Sequence, residues 1–434
     1  MTVDHPSDTV AITPSGPLDA VIRPPGSKSI TNRALVCAAL AAGRSKLTGC
    51  LDSEDTRVML AALRQLGIAI DVDALRQTVT VEGCDGKIPK TDADLFVANS
   101  GTTVRFLTAM LALGQGTFRL DGTPRMRERP IDDLLESLAQ LGVDAKSEAA
   151  SGCPPVIVRA AGLRGGRATI RGDISSQFLS GLLMAAPYAE RPVELAVEGP
   201  LVSQPYVRMT LNVMKAFGVD VDATDLARLV VPRGARYHGR EYAVEPDASA
   251  ASYFWAAAAI VGGQVTVTGL SRDSLQGDVA FVDLLARMGC QVIDAGEAIT
   301  VRGGGPLHGV EVDMNAISDT VQTLAAVALF ADGPTTITGV AHIRHKETDR
   351  IAALATELRK LGAEVHERAD GLRIVPRPLR GAVIDTYDDH RMAMSLALVG
   401  LRVPGVVIRD PACTAKTYPN YFADLARLTR LPGS

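Results

Sequence analysis

The stretch Leu134-Leu135-Glu136-Ser137-Leu138-Ala139-Gln140-Leu141-Gly142-Val143-Asp144-Ala145 passes from one periodicity to another. Leu134, Leu135, Leu138 and Leu141 fall at helical spacing, whereas Val143 and Ala145 flank a charge as the inward positions of a strand do. Between them Gly142 suits the left-handed C-terminal cap that lets a chain leave a helix and turn back. The same pattern runs from Leu60 to Ile70 around Leu66-Gly67-Ile68 and from Leu211 to Val221 around Phe217-Gly218-Val219. Two more copies stand at Met288-Gly289-Cys290 and Leu361-Gly362-Ala363. The five glycines recur about every 70 to 76 residues, too long for a small solenoid repeat and right for an α+β unit of several strands and two helices. At about 70 residues each, 434 residues hold six such units, three per lobe. The expected fold is therefore α/β and two-lobed. Arg23-Pro24-Pro25-Gly26 and the stretch from Arg233 to Pro246 are the candidate crossings, so residues 26–243 form one expected lobe and residues 1–25 with 244–434 the other.

Composition narrows the class. Hydrophobic residues make up 47% and charged residues 22%, enough apolar material for two to three domains. Lys plus Arg is 45 against 49 for Asp plus Glu, and a net charge of −4 argues against a nucleic-acid surface. Cysteines 37, 50, 84, 153, 290 and 413 lie far apart with no C-x-x-C pair, which suits reduced thiols rather than a disulfide scaffold or zinc. From Met1 to Asp8 there is neither a basic flank nor an apolar run, so a cytoplasmic protein is expected. The uncharged stretch from Ala248 to Ser271 is broken by Gly262-Gly263-Gln264 and reads as a buried helix followed by a strand, not a membrane span.

Most units add a strongly apolar helix that starts at a polar cluster. Gly26-Ser27-Lys28-Ser29 leads into a helix through Ala42, Asn99-Ser100-Gly101-Thr102 into Val104 to Leu113, and Ser175-Ser176-Gln177 into Phe178 to Ala186. Ser318-Asp319 leads into Val321 to Ala331, and Asp388-Asp389-His390-Arg391 into Met392 to Val399. Helices this apolar are central, and several of their N-termini converging would make an anion site. Ser29 and Arg33 stand one turn apart with Lys28 and Asn32 beside them; Ser27 separates Gly26 from Lys28, so the segment is no P-loop. Pro124-Arg125-Met126-Arg127-Glu128-Arg129-Pro130 sets three arginines against one Glu, leaving excess positive charge in a loop. Lys346 and Arg350 at i, i+4 repel on a helix unless an anion lies between them, and Glu347 beside them could move a proton. His342 and His345 have no Cys or third His nearby in sequence, so no metal site is expected. Asp319 reads equally as a helix cap or a base, and each segment taken singly also reads as capped helix or solvated charge.

Jointly, PGSKSITNR, NSGTTVR, PRMRERP, ISSQF, SDTVQT, KETDR, DDHRMAM and DPACTAKTYP, in this order from about residue 25 to 422, resemble the 5-enolpyruvylshikimate-3-phosphate synthase family of enolpyruvyl transferases. That resemblance implies an inside-out α/β barrel arrangement of three repeats per lobe, with the active site in the cleft between the lobes. It implies that Lys28, Ser29, Arg33, Ser175, Ser176, Gln177, Ser203 and Tyr206 hold shikimate 3-phosphate, together with Asp319, His342 and Lys346. It assigns phosphoenolpyruvate to Lys28, Asn99, Gly101, Arg129, Gln177, Arg350, Arg391 and Lys416, with Arg105 and His390 in support. Asp319 matches the proton acceptor on the 5-hydroxyl and Glu347 the proton donor to the methylene, with Lys28 or Lys416 as rival proton carriers. His342 stands where many members have Asn. The implied reaction is addition of the 5-hydroxyl to phosphoenolpyruvate and elimination of phosphate through a tetrahedral intermediate, on the route to chorismate and aromatic amino acids. Neither cofactor nor metal is expected, the partners are these two small molecules rather than nucleic acid or membrane, and a monomer is expected.

Physical chemistry fits that assignment. Each substrate brings a phosphate and a carboxylate, and like charges about 4 Å apart repel by about 4 kcal/mol per pair at an effective dielectric near 20. A site holding both must be strongly cationic, which Lys28, Arg33, Arg105, Arg129, Lys346, Arg350, Arg391 and Lys416 would supply. The nearest rival, UDP-N-acetylglucosamine enolpyruvyl transferase, carries in most members a reactive Cys on a first-lobe loop, whereas Pro124 to Pro130 has none and the nearest is Cys153. A catalytically silent phosphosugar binder would use the cations but give Asp319 and Glu347 no special role.

Overall fold

The computed structural model describes residues 8–429; residues 1–7, most of the stretch read for targeting signals, lie outside them. One run of chain shows the repeated unit whole: strand Asp92–Phe96, helix Gly101–Leu111, strand Gln115–Asp121, helix Asp132–Gln140, then strands Asp144–Ser147 and Val156–Ala161. Asp92–Phe96 and Gln115–Asp121 run parallel, with Asp94 opposite Arg119. A parallel pair needs a crossover, and the helix between them provides it. Val156–Ala161 then pairs antiparallel with Gln115–Asp121 on one edge and with Asp144–Ser147 on the other. Among the described residues, five sheets have four strands in this order and one has three.

The two helices of a unit differ in what they bury. Asp132–Gln140 is amphipathic and buries Leu134, Leu135, Ser137 and Leu138. Every residue of Gly101–Leu111, Val321–Ala328 and His390–Gly400 is buried, which a helix surrounded by other elements requires. The sheets show the complementary alternation, as in Val156–Ala161, where Val156, Val158 and Ala160 are buried and Arg159 and Ala161 are exposed. Apolar helices thus lie inside and one-sided sheets outside, the inside-out α/β arrangement. Close helix approach depends on Gly181, where a Cβ would fall 2.9 Å from the Arg105 carbonyl oxygen.

By contacts the chain divides into two compact units, Gly26–Glu245 and Met1–Pro25 with Pro246–Ser434. Each borrows its first strand from distant sequence. Glu241–Ala243 runs parallel to Arg44–Thr48, and Leu18–Ile22 runs parallel to Gly263–Thr268. The return crossing falls after Glu245, against an expected place after residue 243. Val244 still donates to the Thr48 carbonyl, and the Glu245 carbonyl accepts from Ser27, both at 2.8 Å.

Gly67, Gly142, Gly218, Gly289 and Gly362 all take positive φ, from 89° to 109°, as the helix-to-strand reversal demands. The sixth unit lacks this sign because its last strand comes from the far end of the chain: Thr9–Ala11 pairs antiparallel with Val407–Arg409. Ala248–Val261 is buried almost throughout, and among the described residues no helix is long and apolar enough to cross a membrane.

Candidate active site

In the Gly26–Glu245 unit, four helix starts carry the expected residues. Ser27 caps Lys28–Leu40, Ser100 caps Gly101–Leu111 and Ser175 caps Ser176–Ala185, each hydroxyl accepting a first-turn N–H. Ser203, in the left-handed conformation, precedes Gln204–Ala216. Lys28 and Ser29 open the first helix, half-buried.

Arg33 lies one turn in and is buried. Its Nε donates to Thr210 Oγ1 at 2.7 Å, its Nη1 to the Ser29 carbonyl at 2.9 Å, and its Nη2 to the Tyr206 carbonyl at 3.3 Å. The guanidinium lies over the rings of Phe106 and Tyr206, and burial lowers its pKa to about 10. Arg105 donates to Gln177 Oε1 at 2.7 Å and to the Pro130 carbonyl at 3.1 Å. Arg129 donates to the Asn99 carbonyl and side chain at 3.0 and 3.1 Å. These guanidiniums crowd Gly101, where a Cβ would stand 2.5 Å from Arg129 Nη2 and 2.9 Å from Arg105 Nη1.

The other two arginines of that loop do not add free charge. Arg125 pairs with Glu128 at 2.8 Å, and Arg127 pairs with Asp121 at 2.7 Å. The excess positive charge expected there is smaller than the loop's own residues suggest, because Asp121, which meets Arg127, lies on the preceding strand. Sequence reasoning also passed over the buried link of Asn32, Thr102 and Asp55, which ties three helices. Asn32 Nδ2 donates to Thr102 Oγ1 at 2.8 Å and to Asp55 Oδ2 at 3.1 Å.

In the other unit, Asp319 is the hub. Lys346 donates to its Oδ1 at 2.5 Å, Arg391 to its Oδ2 at 2.8 Å, and Arg350 to its Oδ1 at 3.4 Å. Burial opposes its ionisation, but Arg391, Lys346 and Arg350 overcome that and hold the carboxyl well below its usual range. Asp319 lies inside the short turn Asn315–Thr320, and Thr320 rather than Asp319 stands at the cap position of Val321–Ala328. Lys346 and Arg350 share no helix either: Asp349 caps Arg350–Lys360, and Lys346 lies before the cap. The anion that lets these two cations approach is Asp319 itself.

Glu347 is buried and held by Arg350 Nη2 at 2.8 Å and Lys416 Nζ at 3.4 Å. Arg350 also grips Asp389, Nε to Oδ2 at 2.7 Å, while Asp389 caps His390–Gly400. His390 lies beside it, Nδ1 3.7 Å from Asp389 Oδ1. His342 is buried near Lys346, and desolvation followed by that ammonium lowers its pKa to about 3. His345 is exposed, and no group of three or more His, Cys, Asp or Glu side chains placed to hold a metal occurs among the described residues. Asp278, absent from the sequence-based assignment, is buried with Ser249 Oγ donating to its Oδ2. Burial and then Asp319 raise its pKa to about 6.

Comparison with known proteins bears on what this arrangement serves. The family model for EPSP synthase (3-phosphoshikimate 1-carboxyvinyltransferase) matches residues 12–425. The chain belongs to the EPSP synthase family. A 3-phosphoshikimate 1-carboxyvinyltransferase from Trichormus variabilis is 50% identical over 416 residues, covering 96% of this chain and 98% of that protein. EPSP synthase from Acinetobacter baumannii has a similar structure, with a TM-score of 0.80 at 27% identity over 96% of this chain and 98% of that one. The enolpyruvyl transferase NikO from Streptomyces tendae shares the fold, with a TM-score of 0.74 at 22% identity over 97% of each chain. The chain is thus an enzyme of the EPSP synthase family, and the resemblance carried by its motifs extends over nearly its whole length.

Proposed function

We propose that this enzyme transfers the enolpyruvyl group of phosphoenolpyruvate to the 5-hydroxyl of shikimate 3-phosphate and releases phosphate, in the cytoplasm, as a monomer and without metal or cofactor. Residues of both units serve the one reaction. Lys28, Ser29, Arg33, Ser175, Ser176, Gln177, Ser203, Tyr206, His342 and Lys346 bind shikimate 3-phosphate; Asn99, Gly101, Arg129, Arg350, Arg391 and Lys416 bind phosphoenolpyruvate, with Lys28 and Gln177 touching both.

The observation that carries this reading is a pair of unlike carboxyls: Asp319 held by three cations, and Glu347 bridged by Arg350 and Lys416. Asp319 orients the 5-hydroxyl and takes its proton as oxygen bonds to the central carbon of phosphoenolpyruvate. Glu347 protonates the methylene, with Lys28 and Lys416 as alternative carriers, giving the tetrahedral intermediate. The new methyl then returns a proton as the carbon–oxygen bond to phosphate breaks. Cleavage at carbon leaves phosphorus unattacked, so no metal is needed to assist attack there.

The test measures inorganic phosphate from purified enzyme, omitting each substrate in turn and adding UDP-N-acetylglucosamine as competing acceptor. Release that requires both phosphoenolpyruvate and shikimate 3-phosphate is expected. Tight binding of shikimate 3-phosphate with no release from any acceptor would overturn the reading in favour of a silent binder.

A further inference from the structure

Asp319 presents a difficulty for the reaction proposed above. A carboxylate surrounded by Lys346, Arg350 and Arg391 is well oriented but weakly basic, whereas proton transfer is most efficient when the base has an affinity near the working pH. Something must counter the three cations if Asp319 is to accept a proton from an alcohol.

Asp278 is placed to do so. It sits on the short turn Gly277–Ala280, which packs against Asn315–Thr320, the turn that carries Asp319, and against the start of Ala248–Val261. The residue is 3% exposed, and its carboxyl accepts from the Ser249 hydroxyl. The turn itself is pinned by Gln276, whose amide donates to the Pro246 carbonyl at 2.6 Å and accepts from Ala248 N at 3.0 Å. The charges that act on Asp278 most strongly are Asp319, then Arg391 and Asp247. On the helix that follows, Asp283 pairs with Arg272 at 2.7 Å and Arg287 donates to the Glu311 carbonyl, both on the solvent side.

We propose that Asp278 is a positioning residue for Asp319: a second buried carboxylate whose negative charge raises the proton affinity of the first against the pull of Lys346, Arg350 and Arg391. The inference rests on Asp319 being the proton acceptor. When the hydroxyl O–H bond breaks and the proton passes to Asp319, the repulsion between the two carboxylates disappears, so the charge of Asp278 favours that transfer. With its pKa raised to about 6, Asp278 is charged at neutral pH and loses this influence as the solution is acidified.

Turnover is compared from pH 5 to 8.5 in wild type, Asp278→Asn, Ser249→Ala and Asp319→Asn, together with thermal unfolding and calorimetric binding of shikimate 3-phosphate. Asp278→Asn should lower kcat at pH 7.5 by roughly tenfold, keep both KM values within about threefold, and lack the acid limb near pH 6. Ser249→Ala removes a bond that favours the ionised carboxyl. It should keep the wild-type plateau at high pH and move the acid limb upward, a displacement that mere loosening of the turn would not produce. Unchanged kcat and acid limb in Asp278→Asn, or lower kcat with the limb unmoved, would overturn the inference while leaving Asp319 as acceptor, provided Asp319→Asn is inactive. Full turnover in Asp319→Asn would overturn the acceptor assignment and this inference with it.

Discussion

A methyl group at residue 101 would meet two guanidinium ends, not backbone, and that difference sets what Gly101→Ala does. Arg129 Nη2 and Arg105 Nη1 sit on flexible stems and can yield by an ångström without unfolding the helix. Arg129 is a proposed phosphoenolpyruvate contact and Arg105 a supporting residue of that set, so the change should raise KM for phosphoenolpyruvate roughly tenfold, about 1.4 kcal/mol, and leave KM for shikimate 3-phosphate within about twofold. Steady-state kinetics with each substrate varied, plus a melting curve within a few degrees of wild type, checks this. A large fall in melting temperature would mean instead that the helix start had moved. Gly101, Arg105 and Arg129 were legible in the sequence as motif members, but their mutual crowding was not, since it depends on a loop and a helix meeting in space. Asp278 was illegible for a similar reason: nothing in Ser274-Leu275-Gln276-Gly277-Asp278 distinguishes a buried carboxylate from an exposed turn residue.

Elements were more legible than contacts. The helix–glycine–strand sign at Gly67, Gly142, Gly218, Gly289 and Gly362 needs only local backbone geometry, and the positive φ values answer it. The sixth unit escaped because Thr9–Ala11 completes its sheet from the opposite end of the chain, a pairing no local pattern announces. At some helix starts the capping side chain also holds a buried partner. Asp389 is such a case, capping His390–Gly400 while gripping the buried Arg350. Asp389→Asn keeps a good capping residue but withdraws the charge, so it should cost about 3 kcal/mol, the usual penalty for breaking a buried ion pair. Asp389→Ala should cost about 1 kcal/mol more, for the lost cap. Urea unfolding with an unchanged m-value would measure both, and equal losses in the two variants would show that the cap contributes nothing.

For the molecule as a whole, the cationic character expected from sequence is offset in part by buried carboxylates. Lys346, Arg350, Arg391 and Lys416 are already met by Asp319, Glu347 and Asp389, carboxylates that a count of basic motif residues leaves out. Such internal compensation makes stability depend on pH through the few groups that burial shifts furthest. His342 drops from an ordinary 6.5 to about 3 in the fold, so the unfolded chain binds a proton that the folded chain refuses between those values. Its contribution is complete above pH 6.5 and is lost as pH falls, by about 1.4 kcal/mol per unit. Asp278 acts in the opposite sense. Raised from 3.8 to about 6, it binds its proton more readily when folded, adding stability as pH falls through 6 toward 3.8. Over that range the two nearly cancel, and wild type alone would show little of either. The difference between wild type and His342→Asn removes the background: wild type should lose about 2 kcal/mol relative to the variant between pH 7 and pH 5, measured by urea unfolding at each pH. A difference that does not change with pH would mean that His342 titrates in the fold as it does in the unfolded chain, and that neither burial nor the ammonium of Lys346 disfavours its protonation there.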